Sequence, residues 1–441
     1  MTTATTTSPT TPTRYYRFKP WNIGRYLVWA LFALVLIISP MLFKSSLALT
    51  MLSQMGYLII ICLSYNILLG QGGMLSFGHA VYVGLGSFLA IHAMNMGGKG
   101  GLQIPLVLIP LVGGLAGMFF AVIFGFVTTK KSGTTFAMIT MGIGELVASM
   151  ALMFPSFFGG EGGITTDRVY GPTFFGFNFG PQIQVYYLIA AYCFVCTALM
   201  YAFTGTPLGR MLNAVRDNPE RVEFIGYNTQ RVRYFAFIIA GFFAGIGGGL
   251  ASINFEIVNA ADSLSAIRSG GYLLFTFLGG AVFFFGPIIG AVLLVFASIL
   301  LSELSKAWQL YFGLVFVFMV MFAPGGIASL VMMNLRVAKF GKFNRFWGLY
   351  AALAVALVPV VVGAAALIEM IYHIQLNAAM GPDLKFFGTM LNTAGVTSWL
   401  GAIAILAVGL GLLEVARRRF VRVWGQAQEE IEAEIKRREA A

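Results

Sequence analysis

The feature that most restricts this chain is a series of apolar stretches, most of them about 18 residues or longer, separated by short segments that hold nearly all of the charge. Each long stretch can cross a hydrocarbon layer as a helix, where every backbone N–H and C=O is satisfied within the segment. Only 10% of the 441 residues are charged, against roughly 25% in a soluble domain, so a water-surrounded globule is excluded. The 53 glycines suit helices that pack closely, break within the membrane, or do both. The net charge of +11 is not a nucleic-acid signal, because the cations sit in clusters beside apolar runs. That pattern fixes orientation in a membrane.

Counting crossings predicts spans at about 26–43, 47–69, 76–95, 104–127, 134–153, 183–203 and 232–252. The stretch 266–304 is too long for one helix and has Gly286-Pro287 at its middle, so it reads as two shorter segments, inward then outward. Further spans follow at about 310–331, 348–368 and 396–415. Every strong basic cluster then falls on one side. The reading is an all-α polytopic helical bundle with both termini cytoplasmic. It divides into a basic, disordered N-terminal segment (1–25), a transmembrane domain of about ten membrane segments (26–335), an extension with two extra spans (336–416) and a helical tail (417–441).

Between two of the spans lies a charged island, GTPLGRMLNAVRDNPERVEFIG, from Gly205 to Gly226. Thr206-Pro207 and Asn218-Pro219 each place a capping side chain before a proline at the first helical position. Gly226 offers the left-handed residue that ends the second helix. A short, doubly capped helical knob that cannot enter lipid reads as a docking surface for a soluble partner. Elsewhere, Leu69-Gly70-Gln71-Gly72 followed by Phe77-Gly78 echoes Leu278-Gly279-Gly280 followed by Phe285-Gly286. Paired glycine interruptions of this kind point to a pathway formed by discontinuous helices.

Polar residues inside the spans are few. Glu145 is an acid within an apolar helix, and it either lines the pathway or gate or takes a structural hydrogen bond from a neighbouring helix. His79 has the same two readings, a pathway role or an interhelical bond, while His92 and His373 fall near outer ends. Cys193-x-x-Cys196 has redox or metal spacing, yet no second pair or nearby His completes a site, so packing is the expectation for these and for Cys62. The nearest thing to a phosphate-binding loop, Gly125 to Ser132, has Lys130 where the second glycine is required, and it closes an apolar helix, not a strand. No nucleotide site, metal site or catalytic constellation is expected.

Several of these segments carry a resemblance. NILLGQGGMLSFGHAVYVGLGSFLA (66–90), FGGEGGIT (158–165), GRMLNAVRDNPERVEFIGYNTQRVRYFAFIIAGFFAGIGGGL (209–250), LGGAVFFFGPIIGAVLL (278–294) and FAPGGI (322–327) resemble, in order, motifs of the permease subunits of branched-chain amino acid ABC importers. Residues 336–441 extend beyond the resemblance.

The resemblance implies a type II importer permease fold in the bacterial inner membrane and no cofactor in this chain. ATP and Mg would sit on two cytoplasmic ABC ATPase subunits. The remaining partners would be a second related permease subunit, membrane lipid and a periplasmic solute-binding protein, with no nucleic acid.

The knob would then be the ATPase-coupling loop, with Pro207, Arg210, Arg216, Asp217, Asn218, Pro219, Glu220, Arg221, Glu223 and Gly226 in it and Leu212, Val215 and Phe224 as apolar anchors. Gly70, Gly72, Gly73, Ser76, His79, Glu145, Gly279, Gly280, Gly286 and Pro287 would line the translocation pathway or its gate. Glu161, Asp167 and Arg168 would meet the binding protein. Urea, short amides or aromatic and carboxylic solutes are alternative cargo, and a stand-alone secondary transporter is the alternative class.

Overall fold

The computed structural model describes residues 23–98, 104–170, 176, 178–376, 381–386 and 389–440. The expected N-terminal segment falls outside these up to residue 22. Five helices open the chain: α1 (Ile23–Leu42), α2 (Ser46–Asn66), α3 (His79–Gly98), α4 (Ile109–Thr128) and α5 (Gly133–Met153). A short α6 (Pro155–Phe158) and strand β1 (Ile164–Thr165) precede α7 (Gln182–Gly205). The charged island forms α8 (Pro207–Asp217) and α9 (Pro219–Phe224), and α10 (Thr229–Phe255) returns the chain to the far end. There β2 (Ile257–Val258) pairs antiparallel with β1. Next come α11 (Ala260–Ser263), α12 (Ala266–Gly279), α13 (Gly286–Phe296), α14 (Ser302–Leu304), α15 (Trp308–Phe322) and α16 (Gly326–Lys339). The extension is a long hairpin of α17 (Trp347–Leu376) and α18 (Val396–Ala440), joined through strands β3 (Asp383–Phe386) and β4 (Thr389–Asn392).

Eight described helices are long and apolar enough to cross a membrane. Their mutual burial centres on α10, which packs against α2, α3 and α4. Its contact with α4 is made backbone to backbone, since a β-carbon at Gly117 would lie 2.3 Å from the Gly241 carbonyl oxygen and one at Gly245 2.2 Å from that of Gly113. Small residues let the two helices approach where lipid supplies no hydrophobic drive. Cys193 and Cys196 are buried packing residues on α7, as is Cys62 on α2.

Two sequence expectations change. The span expected at 310–331 is not one helix: α15 and α16 meet at 49° across Ala323-Pro324-Gly325. The ladder of α15 stops at Phe322, Pro324 cannot continue it, and Gly326 at φ +69, a left-handed conformation, lets α16 start afresh in a new direction. The tail expected as a helix of its own is instead the continuation of the last span, a single 45-residue α18. Its far half packs Ala427 and Ile431 onto Val337 and Phe346, which removes the reason for a break near the arginines.

The two halves of 266–304 do form a hairpin. Helix α12 is 14 residues long, roughly 21 Å, and falls short of the ~30 Å hydrocarbon, whereas α13 runs on through a π-turn over Ala297–Leu301 into α14.

Candidate functional site

At one end of the bundle three glycine-rich breaks touch in sequence. The first follows α2, whose last turn widens into a π-turn over Ile67–Gln71 before the chain folds back to α3. Wide turns of this kind free backbone carbonyls and recur at functional positions. A β-carbon at Gly70 would lie 2.1 Å from the carbonyl oxygen of Ala281, in the second break between α12 and α13. Gly280 holds φ +114, and a β-carbon there would lie 2.7 Å from the carbonyl oxygen of Gly325, in the third break. Gly279, Gly286 and Pro287 bring the two arms of the α12–α13 hairpin together at its turn, where a β-carbon at Gly279 would sit 2.2 Å from the Gly286 carbonyl oxygen.

Helix α8 lies directly on the first break. Thr206 caps it by accepting from the Gly209 N–H at 3.2 Å, and Asn218 caps α9 by accepting from the Arg221 N–H at 3.0 Å. Pro207 and Pro219 each occupy a first helical position and Gly226 ends the pair at φ +91. Apolar and polar residues segregate sharply around α8. Its inner face carries Leu212 and Val215, both buried, and Asn213 Nδ2 donates to Gln71 Oε1 at 2.8 Å. Arg216 Nη1 donates to the Gly70 carbonyl, a cation on the orphan carbonyls of a helix C-terminus. Its aliphatic stem fills the space over Gly73, where a β-carbon would come within 2.8 Å of Arg216 Cγ, and a β-carbon at Gly72 would meet Leu212 Cδ1 at 3.2 Å.

Leu212 and Val215 therefore anchor the knob to its own chain, and of the three expected apolar anchors only Phe224, 89% exposed, faces outward. Ile225 and Tyr227 accompany it, and the free face also presents Arg210, Asp217, Glu220 and Arg221. Glu223 turns sideways to accept from the Thr229 hydroxyl at 2.8 Å.

Deeper in the bundle, His79 is fully buried. The Ser64 hydroxyl donates to the Ile61 carbonyl at 2.7 Å, so His79 Nε2 donates to Ser64 Oγ at 2.9 Å and Nδ1 is left as an acceptor with no partner among the described residues. Ser76 is also buried, and its carbonyl accepts from the Tyr65 hydroxyl at 2.8 Å. Glu145 is placed differently, on the exposed side of α5. No hydrogen bond or ion pair reaches its carboxylate among the described residues.

The opposite end uses its charges internally. Arg168 Nε donates to the Phe179 carbonyl at 2.9 Å, Nη2 to the Gly180 carbonyl at 3.0 Å, and its guanidinium pairs with Glu256 at 3.6 Å. Asp167 Oδ1 accepts from the Val169 N–H at 2.8 Å, closing a tight turn, while the Glu161 carbonyl accepts from Asn259 Nδ2 at 3.0 Å. Of the three expected contact residues, Arg168 is a clamp between the loop and α10 and presents little to solvent. His92 and His373 also sit at this end, His92 within 2.8 Å of the Phe157 carbonyl and His373 within 2.8 Å of that of Gly381.

Sequence reading missed a second feature here. A cavity of about 270 Å³ lies between α2, α3, α10 and α12, and Asp262 and Arg268 face it as a two-pronged ion pair. The available signal was two opposite charges six residues apart around Ser265, the cap of α12, in what reads as a plain connector.

The family described as branched-chain amino acid transport system / permease component matches residues 47–324. The chain is 26% identical over 302 residues to the high-affinity branched-chain amino acid transport system permease protein LivM of Salmonella typhimurium, covering 63% of this chain and 69% of that protein. The Escherichia coli protein of the same name is 25% identical over 300 residues, with the same coverage. The ribose import permease protein RbsC of Haemophilus influenzae is 22% identical over 318 residues, covering 66% of this chain and 91% of its own. No solved structure matches the chain significantly. With its all-helical membrane bundle and this match over more than half its length, the chain belongs to the permease-component family of branched-chain amino acid transport systems, a family of bacterial multi-pass membrane proteins.

Proposed function

We propose that this chain is the membrane subunit of an ATP-driven importer for branched-chain or related amino acids in the bacterial inner membrane. It pairs with a second, related permease subunit, and two cytoplasmic ABC ATPase subunits supply ATP hydrolysis with Mg. A periplasmic solute-binding protein delivers the solute to the end that carries β1 and β2. Both termini and the α8–α9 knob face the cytoplasm.

One observation carries this reading: the knob has two working faces. The outer one leaves Phe224, Ile225 and several charges free for a soluble partner, and the inner one holds the first glycine break through Arg216 and Asn213. A push on the knob reaches Gly70, then Ala281, then Gly325, through close backbone contacts that transmit displacement because they have no slack. Glu145, unpaired and exposed on a membrane helix, suits a water-filled seam shared with the second permease subunit, since a carboxylate against lipid is costly. The related proteins' names cover amino acid and ribose systems, so the shared body does not by itself select the solute.

The test is reconstitution in vesicles with the cognate ATPase and binding protein, followed by radiolabelled leucine uptake. Uptake should require ATP, and Phe224→Asp should abolish co-purification of the ATPase without loss of the permease from the membrane. A cysteine at position 224 that is labelled only from outside the cell, or full ATP-driven uptake by Phe224→Asp, would overturn the reading.

A further inference from the structure

We propose that the cavity at the β1–β2 end is a weak transit site for a zwitterion, with Arg268 receiving a carboxylate and Asp262 an ammonium group. The inference rests on the import reading for the direction of travel, but its chemistry is local.

Arg268 Nε donates to Asp262 Oδ1 at 3.0 Å and Nη2 to Oδ2 at 2.5 Å. A guanidinium has five N–H donors, so both N–H groups of Nη1 remain for an incoming acid, and each Asp262 oxygen keeps a lone pair for a donor. Ser265 fixes the two residues relative to each other, accepting from the Arg268 N–H at 3.2 Å and donating to the Asp262 carbonyl at 3.0 Å. Adjacent charges of opposite sign at fixed spacing match a solute with both charges on one carbon and match poorly a solute with one.

The rest of the cavity fits such a solute. Tyr57 and Tyr272 line it, and neither hydroxyl makes a hydrogen bond among the described residues. Ile61, Val83 and Phe255 form an apolar wall for a short hydrocarbon side chain. A volume of about 270 Å³ has room for a small amino acid. While the site is empty the pair satisfies itself, so no charge is stranded. The side chains of Arg268 and Asp262 are 45% and 61% exposed, which screens the pair and keeps any ligand weakly held. Weak holding suits a place that a solute must leave.

The experiment measures equilibrium binding of radiolabelled leucine to the full transporter complex in nanodiscs without the binding protein, beside ATP-driven uptake by the complete system. Unlabelled leucine should displace the label, whereas 4-methylpentanoate (no amine) and 3-methylbutylamine (no carboxylate) should compete at least tenfold less well. R268Q and D262N should each lower binding at least tenfold, with R268K, which keeps the charge and loses the fork, in between. Equal competition by either one-charged analogue, or unchanged binding by R268Q, would overturn the proposal. Because the analogue series uses the unaltered protein, it decides the matter even if a variant fails to assemble. Wild-type vesicles that take up no amino acid would sink the import reading alone, since the binding arm is read without ATP.

Discussion

The permease body and the C-terminal hairpin are both bundles of apolar helices, yet they are held together in opposite ways. In the body, helices meet through glycine-lined backbone contacts in a continuous core, and the few buried polar groups tie one element to another across long stretches of sequence, as Ser87 does by donating to the Gly248 carbonyl at 2.8 Å. The hairpin is closed on itself by Gly363 against Leu406 and Gly409 against Val360, and most of its remaining surface is exposed and apolar. It reaches the body through a small set of links. Glu369 on α17 accepts from the hydroxyls of Ser305 and Tyr311, Tyr350 donates to Asn334 Oδ1, and Glu430 on α18 pairs with Lys342 and Arg345. A core closed by backbone contact tolerates no added atom, whereas a module held by side-chain links can loosen without disturbing its neighbour.

The largest effect should come from adding one methyl group to each region. Gly70→Ala drives a β-carbon to within 2.1 Å of the Ala281 carbonyl, which only a backbone shift can relieve. Overpacking costs about 1–3 kcal/mol, and here the strain falls on the contact between two breaks, so uptake should fall to background. Gly363→Ala, with its β-carbon 2.7 Å from the Leu406 N, should splay the hairpin and leave uptake nearly intact. Gly142→Ala, with nothing within 4 Å, is the control. Thermal unfolding and uptake measured on all three would break the comparison if Gly363→Ala proved the more damaging to transport.

Within the body, Arg216→Ala should separate assembly from transport. It removes the cation from the Gly70 carbonyl together with the ion pair to Asp217 at 2.9 Å, and leaves Phe224, Ile225, Glu220 and Arg221 in place, so the ATPase should still co-purify and hydrolyse ATP. Hydrogen bonds to charged groups contribute about 1.5–3 kcal/mol, enough for a tenfold or larger fall in leucine carried per ATP. In the hairpin, Glu369→Ala strands two hydroxyls for about 1–3 kcal/mol. Protease accessibility of strands β3 and β4 should rise while uptake stays within twofold.

How far the sequence anticipates all this depends on whether the signal is local. Pro207, Pro219 and Gly226 act within their own turns, and the knob's boundaries follow from them. The echo between Gly70 and Gly280 foresees two breaks, and the structure seats them against each other, adding a third at Gly325 that hydropathy counts straight through. The inward turn of Leu212 and Val215 was not legible, because a short amphipathic helix has one apolar stripe and nothing local says whether it meets a partner or its own chain. Asp262 and Arg268 were missed for the same reason: what makes them a site is the cavity formed by four helices distant in sequence. Glu145 is the converse case, its chemistry plain from the sequence and its exposure known only from the fold.

The smallest expected effect tests how the tail is attached. Hydrogen bonds from Lys342 and Arg345 hold the Glu430 carboxyl below the ordinary carboxylate range. A depressed value means the docked state favours the ionised form, so this contribution is complete above the ordinary carboxylate pKa and is lost as pH falls through the depressed one. Docking of α18 onto Val337 and Phe346 should therefore be indifferent to pH between about 6 and 8 and weaken only in acid. Trp424, stacked on Phe420 at 5.6 Å and edge-on to Phe346 at 5.3 Å, reports it: its fluorescence should shift as the pH is lowered below the ordinary range. In Glu430→Gln that acid step should vanish, leaving a small constant offset at neutral pH. A step of undiminished size in Glu430→Gln would place the attachment in the apolar cluster alone and make the hairpin more like the body than its contacts suggest.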